Sequence, residues 1–256
     1  MENTKLIDVT PDNVNDTGIY CIKDKKAEGS QAKISWFKKR YDEGLRIKLA
    51  IDHEDTQIGF IEYTPSEVAW RPIEADNYLF IHCIVIFSKK VRNKNVGSDL
   101  IKACEQDALA SNKSGICVMT SEGSWMANKS IFANNGFAEV GQLERFELMA
   151  KKLDDRSPTP YLINWKEQQA KYSGWHLVYA DQCPWHEKSI HALTASAKAH
   201  GIDLKITKLN NPSEAKKAPS GFGTFSLLRD GRLIEDHYLS KTRFENILRK
   251  ELSKHF

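Results

Sequence analysis

Between Phe87 and Leu100 the chain places Arg92-Asn93-Lys94-Asn95-Val96-Gly97-Ser98 directly after an apolar stretch and directly before a helical pattern. A helix that starts after a buried strand leaves its first backbone N–H groups unpaired and carries a partial positive charge at that end. Such a turn binds phosphate without needing many side chains. Lys89, Lys90, Arg92 and Lys94 add positive charge suited to a ligand with several phosphates, while Gly97 and Ser98 are small enough for close backbone approach. The alternative is a basic loop leading into an ordinary helix.

A second place for chemistry is Asp181-Gln182-Cys183-Pro184-Trp185-His186, which sets a cysteine at a helix start directly after a strand. The helix dipole is expected to lower the Cys183 thiol pKa, and Pro184 suits a first helical turn. Cys183 is therefore a candidate reactive thiol, with a structural or vestigial residue as the alternative. Cys183 and His186 offer two ligands to a soft metal, too few for a structural zinc site, so no metal is assigned.

These residues need elements to hold them. Arg46 to Ile51 and Gln57 to Tyr63 read as strands joined by the polar turn Asp52-His53-Glu54-Asp55, and Leu79 to Phe87 is apolar on both alternating faces, as a central strand must be. Val96, Leu100, Ile101, Cys104 and Ala108 recur at helical spacing, with Asp99, Lys102, Glu105 and Gln106 on the wet face. Ile116 to Thr120 is a short strand, Asn128 to Asn134 a helix stopped by Asn135-Gly136, and Phe137 to Met149 a last strand or hairpin. The patterning breaks over Lys151 to Ser173, where Pro158 and Pro160 favour an extended connector and Asn164 to Lys171 a short helix. We divide the chain into 1–153, a linker 154–172, and 173–256. The second part reads strand (Trp175 to Ala180), helix (Pro184 to His200), strand (Ile202 to Leu209), strand (Thr224 to Leu228), a turn at Arg229 to Arg232, a strand through Glu235, and a helix opened by a capping box at Thr242 and Glu245. Overall the class is α/β: a mixed β-sheet with flanking helices, followed by a smaller α/β domain.

With 256 residues, 41% hydrophobic and 28% charged, the chain is an ordinary globular protein long enough for two domains. A net charge of +3 does not argue for nucleic acid, and the Lys89 to Lys94 cluster lacks the interleaved aromatics that single strands stack on. The longest apolar run, Leu79 to Phe87, is about half of what a membrane span needs, and the start of the chain has no signal-peptide pattern. Five cysteines without a C-x-x-C pair fit free thiols in a reducing cytoplasm. The expected partners therefore exclude nucleic acid and membrane; a homodimer is left open.

The segment Phe87 to Leu100 resembles the acetyl-CoA motif of the GNAT acetyltransferases, Arg/Gln-x-x-Gly-x-Gly/Ala before a helix. Arg92 and Gly97 match, and Asn95 stands where the first glycine is usual; asparagine tolerates the left-handed backbone wanted there. Ile131-Phe132-Ala133-Asn134-Asn135-Gly136-Phe137 resembles the second family motif, a helix ending in Gly-Phe. The resemblance covers roughly residues 5–150 and implies a GNAT-like sheet with acetyl-CoA as cosubstrate. It implies that Val85, Ile86 and Phe87 bond the pantetheine through their backbone, and that the loop from Arg92 and Asn93 through Lys94, Asn95, Val96 and Gly97 to Ser98 cradles the pyrophosphate. The second part resembles a YoaP-like domain with thioredoxin-like element order; His186 stands where a second cysteine would, and Gly223 near the usual cis-proline.

Acetyl transfer to an amine needs a held thioester, a neutral amine, and stabilisation of the oxyanion and the departing thiolate. Candidate bases are Glu62 and His82, with a solvated strand residue and a core histidine as their plainer alternatives. Trp70 and Arg71 are candidate walls of the acceptor site, the alternative being a packed tryptophan beside a surface arginine. The family's frequent general acid, a tyrosine in the second motif, is here Phe132, which can line a substrate site but cannot protonate a thiolate; Tyr63 and Tyr78 are unplaced alternatives. The expected function is an N-acetyltransferase acting on a small-molecule or peptide amine by direct attack in a ternary complex. The alternative is a catalytically weak scaffold coupled to a thiol-dependent binding or sensing module that uses Cys183.

Overall fold

The computed structural model describes residues 4–19, 21–22, 24–87 and 95–253. In chain order the elements are β1 (Lys5–Val9), α1 (Val14–Thr17), α2 (Glu28–Tyr41), β2 (Arg46–Ile51), β3 (Gln57–Pro65), β4 (Ile73–Glu74), β5 (Tyr78–Ile86), α3 (Val96–Ala110), β6 (Gly115–Thr120), α4 (Lys129–Ala133), β7 (Ala138–Leu143) and β8 (Phe146–Lys152). They continue with β9 (Tyr161–Leu162), α5 (Lys166–Gln169), β10 (Trp175–Tyr179), α6 (Trp185–Ala199), β11 (Leu204–Lys208), α7 (Pro212–Ala215), β12 (Phe225–Arg229), β13 (Arg232–Glu235) and α8 (Lys241–Leu252).

Seven strands form a mixed sheet in the order β1-β2-β3-β5-β6-β8-β7, in which only β5 and β6 run parallel. Four more form a second sheet, β11-β10-β12-β13, with β10 parallel to β11 and the other pairs antiparallel. The large mixed sheet expected of the first part is thus present. Alternation along β5 sends Leu79 and Ile81 into the apolar cluster under α3 and Phe80 to the opposite face, as an element covered on both sides requires.

That opposite face meets the second part of the chain. Phe80, Phe146 and Leu148 share one cluster with Trp165, Trp175, Leu177, Phe225 and Phe244. Ile34, Phe37, Ile47, Phe60 and Trp70 share another with Val178, Ala180, Leu209 and Leu228. Burying apolar area across this seam is worth on the order of 25 cal/mol per Å² and holds the two sheets as one body. The Lys151 to Ser173 segment crosses the seam, where β9 pairs with β4.

Several elements differ from expectation, and β1, α1, β4 and α7 have no counterpart in the sequence reading. Helix α8 starts two residues earlier and is capped by Ser240, whose side chain accepts from Arg243 N at 3.3 Å; Thr242 lies inside the helix. Helix α2 has no counterpart in the sequence reading, because Lys33, Lys38, Lys39 and Arg40 interrupt any apolar stripe around Ile34, Trp36 and Phe37. Lys33 is itself buried, which a pattern of polar and apolar letters cannot show.

Candidate active site

Strands β5 and β6 pair only from Tyr78–Gly115 to Ile81–Val118, so among the described residues His82 to Ile86 present an open backbone edge toward β6. An unpaired strand edge must find a partner, and an extended amide-bearing ligand supplies one. Beyond it, Asn95 adopts the left-handed conformation (φ 59°, ψ 9°) expected of it and starts α3 without capping the helix by its side chain. The first turn therefore keeps the donors that bind an anion. Arg92, Asn93 and Lys94 lie outside the described residues.

Gly97 has a structural reason of its own: a Cβ there would meet Ile131 Cδ1 at 2.5 Å. Ser98 Oγ accepts from Asn135 Nδ2 at 3.1 Å. The two motif segments are thus packed on each other. Val85 and Phe87 reach the cavity described next, whereas Ile86 faces α3 beside Gly59 and Gly97.

Where β5 and β6 diverge lies a cavity of about 360 Å³ between the two sheets. Its first-part walls include Phe60, Ile81, Val85, Val118 and Met119; residues Gln182, Cys183, Pro184, Trp185 and Phe222 close the other side. Lys33, Glu62, Arg71 and His82 also line it, although none is more than 8% exposed.

Glu62 is the hub. Its Oε2 accepts from Lys33 Nζ, its Oε1 accepts from Gln182 Nε2 at 2.9 Å, and His82 Nδ1 lies 3.3 Å away without hydrogen-bond alignment. Burial alone raises a carboxyl pKa, but the Lys33 charge and the His82 ring outweigh it and hold Glu62 down at about 2. The expected alternative of a solvated residue fails because β3 is covered on both faces. His82 Nε2 accepts from the Trp70 backbone N–H at 2.9 Å, so the neutral ring carries its proton on Nδ1, facing Glu62. Burial, opposed by Glu62, lowers its pKa to about 4.

Not every proposed site residue reaches the cavity. Trp70 packs edge-on against Trp36, with ring centroids 5.3 Å apart, and Phe132 packs against Phe137 with no exposure; neither is a cavity wall. Arg71 is buried rather than superficial, and it does line the cavity. Tyr63 donates to Asp107, and Tyr78 donates to the Pro158 carbonyl at 3.1 Å; both stand away from it.

The expected low pKa of Cys183 is reversed: burial pushes the thiol up to about 11, outweighing the Trp185 N–H and the Lys33 charge. Burial likewise lowers His186 to about 4, and its Nδ1 lies 2.8 Å from the Ala180 carbonyl. A resting thiolate sensor at Cys183 thus loses its physical basis. Lys33, Gln182, Cys21 and Cys83 also surround the cavity and escaped the sequence reading. Lys33 sits in a helix the pattern hid, and Gln182 meets a residue 120 positions away. Cys83, adjacent to His82, was the one with a signal.

The mixed sheet, its open edge and the uncapped helix start define an α/β protein built to hold an extended, anion-bearing ligand. A family model described as YoaP-like matches residues 203–246. Over 248 residues the chain is 30% identical to "Uncharacterized N-acetyltransferase YoaP" of Bacillus subtilis (strain 168), covering 94% of this chain and 97% of that one. The chain belongs to the YoaP family of N-acetyltransferases. Among solved structures it is similar to a GNAT-family acetyltransferase from Staphylococcus aureus Mu50 (16% identity, 59% of this chain and 100% of that one, TM-score 0.45). It is also similar to an aminoglycoside 6'-acetyltransferase type Ii (16% identity, 59% and 99%, TM-score 0.46). Among the described residues no helix is long and apolar enough to cross a membrane.

Proposed function

We propose that the chain transfers an acetyl group from acetyl-CoA to an amine by direct attack in a ternary complex. The observation that carries this reading is the divergence of β5 from β6 beside the uncapped start of α3, with a cavity at the point of divergence. In this reading the backbone of Val85 to Phe87 bonds the pantetheine arm and Asn95 to Ser98 receive the pyrophosphate, a role the sequence motif extends to Arg92, Asn93 and Lys94. The first part, 1–153, binds the donor, and the thioredoxin-like second part, 173–256, closes the acceptor side.

In the reaction the amine nitrogen attacks the thioester carbonyl, the C–S bond breaks, and the nitrogen loses its proton. Glu62, held as a carboxylate at about 2 with its oxygens already accepting from Lys33 and Gln182, is too weak a base to take that proton and instead anchors those two side chains at the cavity. His82 positions Glu62 and the Trp70 backbone, since Nε2 is already an acceptor. The amine therefore reacts from its neutral fraction and its proton goes to water. With Phe132 buried in the core, the thiolate also takes its proton from water.

Calorimetry with acetyl-CoA tests the reading: saturable heat is expected, weakened by Arg92→Glu. No heat at millimolar acetyl-CoA overturns it.

A further inference from the structure

Arg71 is 3% exposed and lines the cavity, yet among the described residues no carboxylate pairs with it. Its one hydrogen bond runs from Nη1 to the Trp70 carbonyl at 2.8 Å, and its guanidinium lies 5.2 Å from the Phe222 ring centroid. Burial lowers its pKa only to about 10, so it remains a cation at neutral pH. A buried, uncompensated charge is costly unless something completes it. The nearby cation does not share this need, because Lys33 is already neutralised by Glu62.

The charge balance points the same way. At neutral pH the cavity holds Lys33 and Arg71 as cations and Glu62 as an anion, two against one, while His82 is neutral and the thiols of Cys21, Cys83 and Cys183 are protonated. One positive charge is left over. An acceptor with a carboxylate beside a neutral amine carries one negative charge, which is the form that attacks. Phe60, Ile81, Val85, Val118, Met119 and Phe222 give the rest of the wall a largely apolar surface, and the Gln182 amide there is already held by Glu62 and Thr224.

Resting on the acetyl-transfer reading above, we propose that Arg71 binds the carboxylate of the acceptor, which is a small apolar amino acid. Arginine suits the task because its planar fork takes a carboxylate through two parallel N–H···O bonds. Arg71 also stands at the contact with the second part: a Cβ at Gly223, whose φ is +77°, would lie 2.6 Å from the Trp70 carbonyl and 3.0 Å from Arg71 Cδ. Gly223 and Phe222 thus cover the arginine and keep water from competing for it. A long peptide, whose terminal carboxylate lies far from its terminal amine, does not fit this arrangement.

The test compares L-methionine, L-leucine and L-phenylalanine with their carboxamides as acceptors, using the full chain and acetyl-CoA. The acids should be preferred at least about tenfold in kcat/KM, although the carboxamide amines are the less protonated. Arg71→Gln should raise the KM of the acids by about 10- to 100-fold, the loss expected for a charged hydrogen bond, and should leave the KM of acetyl-CoA unchanged. Arg71→Lys should recover part of the loss. Because Arg71→Gln removes an unpaired buried charge, its melting temperature should match or exceed that of the parent chain. Calorimetry with the N-acetyl amino acids and N-acetyl amino-acid amides, in the presence of CoA, reads the same preference without turnover. Equal binding of both classes, no binding of any carboxylate probe while acetyl-CoA binds, or an equal fall in kcat for acids and amides in Arg71→Gln overturns the inference. Failure to bind acetyl-CoA instead overturns the donor reading.

Discussion

The proposed donor side and the proposed acceptor side of this protein are built by different means. The donor side is made of backbone: a strand edge left open, a left-handed asparagine and the first turn of α3, all between Tyr78 and Ala110. The proposed acceptor side is made of side chains delivered by separate segments: Lys33, Glu62, His82 and Gln182 gather in a buried network, and Arg71 stands beside them on the cavity wall. Backbone sites tolerate substitution and lose affinity gradually, whereas a buried network fails when one member is removed. The two sides should therefore answer mutation differently.

The largest effect is expected from Glu62→Gln, which leaves the Lys33 ammonium buried without its counter-ion and should cost about 3–5 kcal/mol in a denaturant melt. Replacing both partners, Lys33→Met with Glu62→Met, should restore most of that stability without restoring turnover. Equal stability of Glu62→Gln and the parent chain breaks the contrast at its strongest point. Acid should act on the same network. His82 has a folded pKa of about 4, below its ordinary 6.5, so the unfolded chain binds the extra proton and stability falls as pH drops from about 6.5 toward 4. Glu62, lowered from 4.5 to about 2, continues the loss as pH falls through that lower window. Melting temperatures measured across this range should decline steadily, and a flat profile contradicts the assigned states.

Gln182→Ala comes next, removing a hydrogen bond to an ionised buried group at a cost of about 1–3 kcal/mol. On the donor side, Asn95→Val forces a β-branched residue into a left-handed turn and should cost about 1–2 kcal/mol, read as weaker acetyl-CoA binding in calorimetry. Asn95→Gly should bind as the parent does. The smallest effect is expected at Cys183: iodoacetamide should label it more slowly than an unperturbed thiol at neutral pH, because its pKa is raised to about 11. Labelling faster than that standard would return the thiol to consideration.

The same contrast explains what was legible beforehand. The donor turn could be read from seven neighbouring residues because its physics is local: a strand end, basic charge, small residues and a helix start. Asn95 took the expected left-handed conformation for that reason. The acceptor side could be read only in fragments. Glu62 and His82 were visible as titratable residues on strands, but their burial depends on a second sheet packed over β3 and β5, which no local pattern encodes. Lys33 was hidden in a helix without a clean apolar stripe, and packing turned inward both Trp70, expected there from its place between two strands, and Phe132, expected there from its motif position. For Cys183 the dipole argument had the right sign but the smaller magnitude, because burial between the two sheets raises the thiol by more than the helix start lowers it.

The bond between Gln182 and Glu62 also sets an order of events during synthesis. Translation delivers the turn at Asn95 to Ser98 long before residues 182 and 222, so the wall of the cavity opposite β5 is the last part of it to be made. Until Gln182 is in place, the Lys33–Glu62 pair lacks the amide that covers it from the second part. On the proposed reading, the cavity is complete only once Gln182 and Phe222 have joined its first-part walls.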